Sequence, residues 1–289
     1  LVGCNKYTGP GVELDSSFAR YVPAGTKALI GVKVDALKRS EFYKRHESQL
    51  KLPQLSAMQE RIGMDPARDL TDIVLSWDGQ QTLTIAHGSF KSEEVQPKIA
   101  KLTPEQEQYK NNTLFGSKKE AIVFLPKGIA LAGPSNEIKS SLDGPGGVPE
   151  ELKTRLHGVL PNAQLWAASY GVLPLSNIPI RSDTQSILSN LVDYINGTTL
   201  GIALDSGAHL KLDIACISPE GAQRVNDALR GLIGFARLNT PDNQMDMLHL
   251  WDAIKVEKNT SGVVVHADLS ADLADKLFGQ VAGISKFGR

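Results

Sequence analysis

Between Trp77 and Val95 the chain alternates apolar and polar positions, turns, alternates again and enters a helix; the pattern returns between Leu204 and Ala222. In the first stretch Asp78-Gly79 marks a tight turn, Leu83 and Ile85 alternate with polar neighbours, and Ser92-Glu93-Glu94 opens the helix. In the second, Asp205-Ser206-Gly207 marks the turn, and Ser218-Pro219-Glu220 opens the helix with proline at its first position. At a constant offset, Leu83, Ile85 and Phe90 fall on Leu210, Leu212 and Ile217, His87 falls on Ile214, and Glu93 on Glu220. That predicts a duplicated hairpin with a shared inward face, a scaffold more than a reactive site.

The flanks repeat the plan. Alternation over Lys27 to Leu37 predicts a strand, and Phe42, Tyr43, His46 and Leu50 share one face of a helix over Arg39 to Lys51. Leu55, Met58 and Ile62 continue a short second helix, and Ile73, Leu75 and Trp77 lead into the hairpin. Ser92 is the expected cap of a helix burying Val95, Ile99 and Leu102. A polar loop over Pro104 to Asn112, three short strands and a helix capped by Ser135 follow. Asp143 to Pro149 reads as a linker. Beyond it come a strand from Leu165, a helix over Arg181 to Ile195, the second hairpin, a long helix through Ala236, a helix with Met245, Leu248 and Trp251 inward, a strand over Gly262 to Ala267, and a last helix capped by Ser270.

Each half thus reads strand, helix, strand, strand, helix, strand, helix. The expected fold is α+β: two tandem repeats of a split βαβ (ferredoxin-like) unit, with antiparallel sheets and helices on one face. Residues 1–20 would be a flexible tether, 21–146 the first repeat and 147–289 the second. Any site specific to function is expected where the halves differ: the helix over Glu220 to Leu238, the helix over Asp242 to Asp252, or a cleft between the repeats.

Composition narrows the function classes. The 289 residues are 41% hydrophobic and 22% charged with a formal net charge of -1, an ordinary globular balance without the basic field that attracts nucleic acid. No apolar run is long enough to cross a bilayer; Leu156 to Leu175 is broken by His157, Pro161, Asn162 and Gln164.

The chemistry-bearing residues have structural explanations. The six histidines (His46, His87, His157, His209, His249 and His266) show no metal-ligand spacing, and Asp242 to Asp246 lacks the glycine and spacing of an EF-hand loop, so no metal is expected. Asp205-Ser206-Gly207 is explained by its turn, Ser135 by a helix start, and Ser48 to Lys51 lacks the partner motifs of a Ser-x-x-Lys hydrolase. Gly144-Pro145-Gly146-Gly147 lacks the Lys-Ser/Thr of a phosphate loop, so no nucleotide cofactor is expected. Cys216 falls in step with Leu210, Leu212 and Ile214 as a buried, inert thiol. Trp77, Trp166 and Trp251 alternate as core residues do.

The N-terminus carries the one specific motif. Leu1-Val2-Gly3-Cys4 resembles the lipobox of bacterial lipoproteins, with Leu at −3, a small apolar residue, Gly at −1 and then Cys. The resemblance covers these four residues, without the basic and apolar regions of a signal peptide. It implies cleavage before Cys4, a thioether-linked lipid on Cys4, and a polar tether over Asn5 to Ser17. Asn5 rather than Asp after the cysteine implies sorting toward the outer membrane. The expectation is a lipid-anchored cell-envelope protein, a binding or structural interaction module for a protein or small molecule. The alternative is a hydrolase-like envelope enzyme with a non-local active site between the repeats.

Overall fold

The computed structural model describes residues 11–50, 64–171 and 190–287, with side chains described through Gly279. The helix expected through Leu55, Met58 and Ile62, most of that over Arg181 to Ile195, and Cys4 lie outside them. The chain forms two compact bodies. Of the described residues, the first comprises 13–39, 50 and 64–154; the second comprises 11–12, 40–49, 155–171 and 190–287.

The first body opens with α1 (Ser16–Ala19), capped by the Asp15 carboxylate accepting the Ser17 N–H. Next come β1 (Ala28–Lys33) and α2 (Val34–Arg39). The second body's α3 (Glu41–Leu50) intervenes before α4 (Pro66–Asp69), β2 (Leu70–Trp77), β3 (Thr82–Gly88) and α5 (Ser92–Leu102). Then β4 (Gln106–Tyr109), β5 (Asn112–Gly116), β6 (Ala121–Leu125), β7 (Ile129–Gly133) and α6 (Ser135–Asp143) complete it. Its strands lie in the order β1-β2-β3-β7-β6-β5-β4, and every pair is antiparallel.

Both faces of this sheet are buried at its centre. On one face Phe90, Val95 and Ile99 of the α5 region pack on Phe115, Phe124, Ala130 and Ile73. On the other, Val74, Ile85, Leu131 and Val123 stand in one hydrogen-bonded row across four strands, each at most 1% exposed. Helix α6, with Ile138 fully buried, packs against β3, β6 and β7. Continuous apolar runs such as Ala121 to Leu125 are what a strand covered on both sides requires.

After α7 (Glu150–Leu156), the second body runs β8 (Leu165–Tyr170), β9 (Ile195–Leu204), β10 (Ala208–Cys216), α8 (Pro219–Leu238), α9 (Met245–Ala253), β11 (Ile254–Lys258), β12 (Gly262–Leu269) and α10 (Ala271–Phe287). Its strand order is β8-β9-β10-β12-β11, again antiparallel, and matches β1-β2-β3-β7-β6 of the first body position for position. Helix α8 covers one face, with Val225, Ala222 and Ile233 packed on Ile214, Val256, Val263 and Val265.

Several expectations are corrected. A split βαβ unit separates its first two strands by a third, whereas β1 pairs directly with β2 and β8 with β9. Burial of both phases of β6 and β7 replaces helices on one face. From Val12 the segment expected as a tether is packed: Val12 and Phe18 are buried, and the Val12 N–H donates to Leu156 O at 2.9 Å. The first strand ends at Lys33, β4 occupies part of the polar loop, and Ile195 begins a strand. Ser92 and Ser135 lie one residue inside their helices; the Ser92 hydroxyl donates to Leu125 O and the Ser135 hydroxyl to Glu107. Ser218 caps α8 as expected, accepting the Gly221 N–H. Asp143 to Pro149 is held to the first body through the Gly147 N–H on Val22 O at 2.9 Å.

Because Leu131 is fully buried in the central row, Leu131→Ala should cost about 2–5 kcal/mol of unfolding free energy through lost burial and a residual cavity. Urea denaturation followed by circular dichroism measures it.

Candidate functional site

The two hairpins differ in length, and that difference creates the site. The pair Trp77–Thr82 closes a turn of Asp78, Gly79, Gln80 and Gln81, while the pair Leu204–Ala208 closes one of Asp205, Ser206 and Gly207. Aligned on their closing pairs, the second strands are displaced by one residue from a constant offset. A one-residue displacement exchanges the two faces of a strand. The fourth residue after the turn is Ile85 in one body and Lys211 in the other.

The registers carry this across the sheet. In the first body the row Gly31, Val74, Ile85, Leu131, Val123 runs through five strands. The corresponding row in the second body is Trp166, Gly201, Lys211, His266, Lys255. The next row toward the hairpin holds Leu83 in the first body and Ala203, His209 and Asp268 in the second. An apolar core row thus corresponds to a polar one.

The covering elements differ in step. Helix α6 packs on its sheet, whereas the corresponding α10 packs on α9. The polar rows therefore floor a concavity of about 670 Å³, walled by His157 to Pro161, the 205–207 turn and the start of α10. Gly201 lets the wall close down: a Cβ there would lie 2.6 Å from the Leu160 Cβ. Trp166, 3% exposed, stands beside it on the same row as packing rather than as a ligand platform.

The polar groups hold one another. His209 Nδ1 lies 2.8 Å from Asp268 Oδ1 and its Nε2 3.5 Å from Asp205 Oδ1. Lys211 Nζ lies 2.9 Å from Asp213 Oδ2 and 3.4 Å from the Gly158 carbonyl, which places the ammonium under the wall. The Asp268 and Asp205 side chains are 76% and 58% exposed, so both keep carboxylate lone pairs toward solvent.

The 205–207 turn is fixed from behind by α3. The Phe42 N–H donates to Asp205 O at 2.8 Å, and Arg45 Nη2 donates to Ser206 O at 2.7 Å. Arg45 also forks onto Asp275 of α10, through Nε at 2.8 Å and Nη2 at 2.9 Å. His46 Nε2 reaches the same carboxylate at 2.8 Å, with its ring between Phe42 and Phe278. The Arg45 hydrogen bond, aided by His46, holds the Asp275 carboxyl below the usual carboxylate range against a desolvation effect that raises it.

Other residues weighed from sequence fall outside this arrangement. Cys216 is buried and burial pushes its thiol pKa up, as an inert thiol requires. His87 stacks on Phe18 with its Nδ1 3.0 Å from the Thr71 hydroxyl, a packed position in the first body. Structurally it corresponds to Asp213, not Ile214, because of the hairpin displacement. Ile217, expected inward, is 63% exposed. The Trp251 indole donates to the Thr240 hydroxyl at 2.9 Å. Among the described residues no cluster of three or more His, Cys, Asp or Glu is placed to hold a metal ion, and no helix is long and apolar enough to cross a membrane.

No protein-family model and no curated protein matches the chain. Among solved structures it resembles three crystal forms of TP0453. Form IV superposes with a TM-score of 0.54 at 8% identity, covering 93% of this chain and 97% of that one. Form III gives 0.53 at 10% over 94% and 99%, and form I gives 0.52 at 10% over 93% and 98%. At such identity the likeness is one of fold.

Two outcomes follow from the geometry. Gly201→Val, which installs the residue of the corresponding row, should destabilise the protein by about 1–3 kcal/mol by forcing Leu160 and its loop outward, measured by urea denaturation. For Asp275, a depressed folded-state pKa means stability that is present above its unfolded value near 3.8 and lost as pH falls through the lower folded value. Asp275→Asn should therefore lower the thermal midpoint at neutral pH, and the gap to wild type should narrow as the pH falls through that window in a calorimetric pH series.

Proposed function

We propose that the chain is a lipid-anchored bacterial cell-envelope protein that works as a binding module, tethered through a lipid on Cys4 and recognising its ligand in the second body's concavity. The observation that carries the binding half is the correspondence of rows. Lys211, His266, His209 and Asp268 occupy positions that a covered sheet face fills with apolar side chains, as Ile85, Leu131 and Leu83 do in the first body. Substituting such a row with ionisable groups costs core burial, and leaving it open to solvent is what makes the substitution tolerable. The shared strand order supports descent of both bodies from one duplicated α+β unit, with one retained as apolar scaffold and the other opened as a site.

The pairing of His209 with Asp268 and of Lys211 with Asp213 favours recognition over catalysis. These contacts hold the groups at fixed positions. The anchoring half rests on the lipobox-like Leu1-Val2-Gly3-Cys4. Acylation at several positions on a lipoprotein cysteine gives stable attachment where a single chain is marginal.

Expression of the full gene in a Gram-negative host followed by membrane fractionation tests the anchor. Cys4→Ser should move the protein into the soluble fraction and abolish incorporation of labelled palmitate, while Cys216→Ala should leave both unchanged. Retention of Cys4→Ser in the membrane fraction would contradict the anchor.

A further inference from the structure

The charges lining the concavity are sorted along its floor. His209 and Asp268 face each other across β10 and β12, and Asp205 on the adjoining turn adds a second carboxylate at that end. Lys211 and His266 face each other two residues further along the same strands, beneath Gly158. The Asp268 and Asp205 carboxylates at one end and the Lys211 ammonium at the other, which also holds Asp213 at 2.9 Å, are thus separated by two strand residues, about 7 Å at the rise of a β-strand.

That spacing restricts the ligand. An isolated anion would meet the Lys211 end but lie beside two exposed carboxylates, and an isolated cation would face the opposite conflict. A molecule carrying both charges at matching separation satisfies both ends. An extended dipeptide places its ammonium and carboxylate two residues apart, again about 7 Å, because peptide and strand share the same backbone repeat. The volume of about 670 Å³ also accommodates a dipeptide with its side chains.

We propose that the concavity binds a short peptide through both of its free termini, with the ammonium on Asp268 and Asp205 and the carboxylate on Lys211 and His266. This rests on the concavity being the ligand site and names what it takes. Charge-assisted hydrogen bonds at both ends give the selectivity, since a peptide capped at either terminus leaves one charged end without its partner. A longer chain with both termini free would overrun one end. The 205–207 turn held by Phe42 and Arg45 keeps the acceptor end in place.

Calorimetric titration of the unlipidated full chain carrying Cys4→Ser, with alanyl-alanine as the probe, tests the proposal. Saturable binding in the millimolar range or tighter is expected, with N-acetyl-alanyl-alanine and alanyl-alanine amide each at least about tenfold weaker. Lys211→Gln should weaken alanyl-alanine to the level of the amide and remove further discrimination between the two. Asp268→Asn, at a 76% exposed side chain, should do the same for the acetylated probe without affecting the fold. Equal binding of the capped and free probes would overturn the two-ended recognition, as would no binding of alanyl-alanine at millimolar concentration. Either result would leave the Cys4 anchor standing, because membrane release is measured separately.

Discussion

Hydrogen-bonded register governs this molecule more than any single contact does. In a strand, side chains alternate between faces, so the residue paired at one end of a hairpin fixes the face of every residue beyond it. Here that rule operates across five antiparallel strands in each body. A turn of four residues after Trp77 sends Leu83 and Ile85 to the face where Val74, Leu131 and Val123 wait. A turn of three after Leu204 sends His209, Lys211 and Asp213 to the corresponding face of the second body and keeps Leu212 and Ile214 under α8. One residue fewer in a loop makes the difference between a core row and a polar floor.

The covering layers are consistent with that difference. Apolar side chains such as Ile85 and Leu131 gain stability only when water is excluded, and α6 supplies that exclusion through Ile138. Ionisable groups lose solvation when covered, and among the described residues α10 lies against α9. Helix α3 then steadies the exposed rim. Its Arg45 bridges the Ser206 carbonyl and the Asp275 carboxylate, linking the turn to α10 through hydrogen bonds of 2.7 to 2.9 Å. A partly exposed ion pair adds little by itself. Its bidentate geometry matters here because it sets the position of a turn whose Asp205 lines the concavity.

Much of the fold was legible in the amino-acid pattern, because the apolar runs of β6 and β7 are short, strongly patterned and bounded by turn residues. The helix start at Ser218-Pro219-Glu220 was equally plain, since cap and proline act locally. Pairing order was not legible: alternation says that β1 is a strand but not that it lies beside β2. The concavity was hidden for a more specific reason. A constant offset places Leu210 and Leu212 on Leu83 and Ile85, a chemically pleasing match that hides the shorter turn. Only pairing with Gly201 and His266 shows that Lys211 holds the place of Ile85. The role of Arg45 was beyond reach as well, because its partners Ser206 and Asp275 are remote in sequence. The one motif readable by itself, the lipobox-like Leu1-Val2-Gly3-Cys4, bears on the proposed attachment and not on the fold.

One backbone pattern serves a packed scaffold in the first body and a polar concavity in the second, and the account depends on the register between β9, β10 and β12. Inter-strand nuclear Overhauser effects on a deuterated, methyl- and amide-labelled sample measure that register directly. The account predicts contacts from Lys211 to both Gly201 and His266, with Leu212 linked to Leu200 and Val265. Contacts linking Leu212 to Gly201 or His266 would place the polar side chains beneath α8 and contradict it.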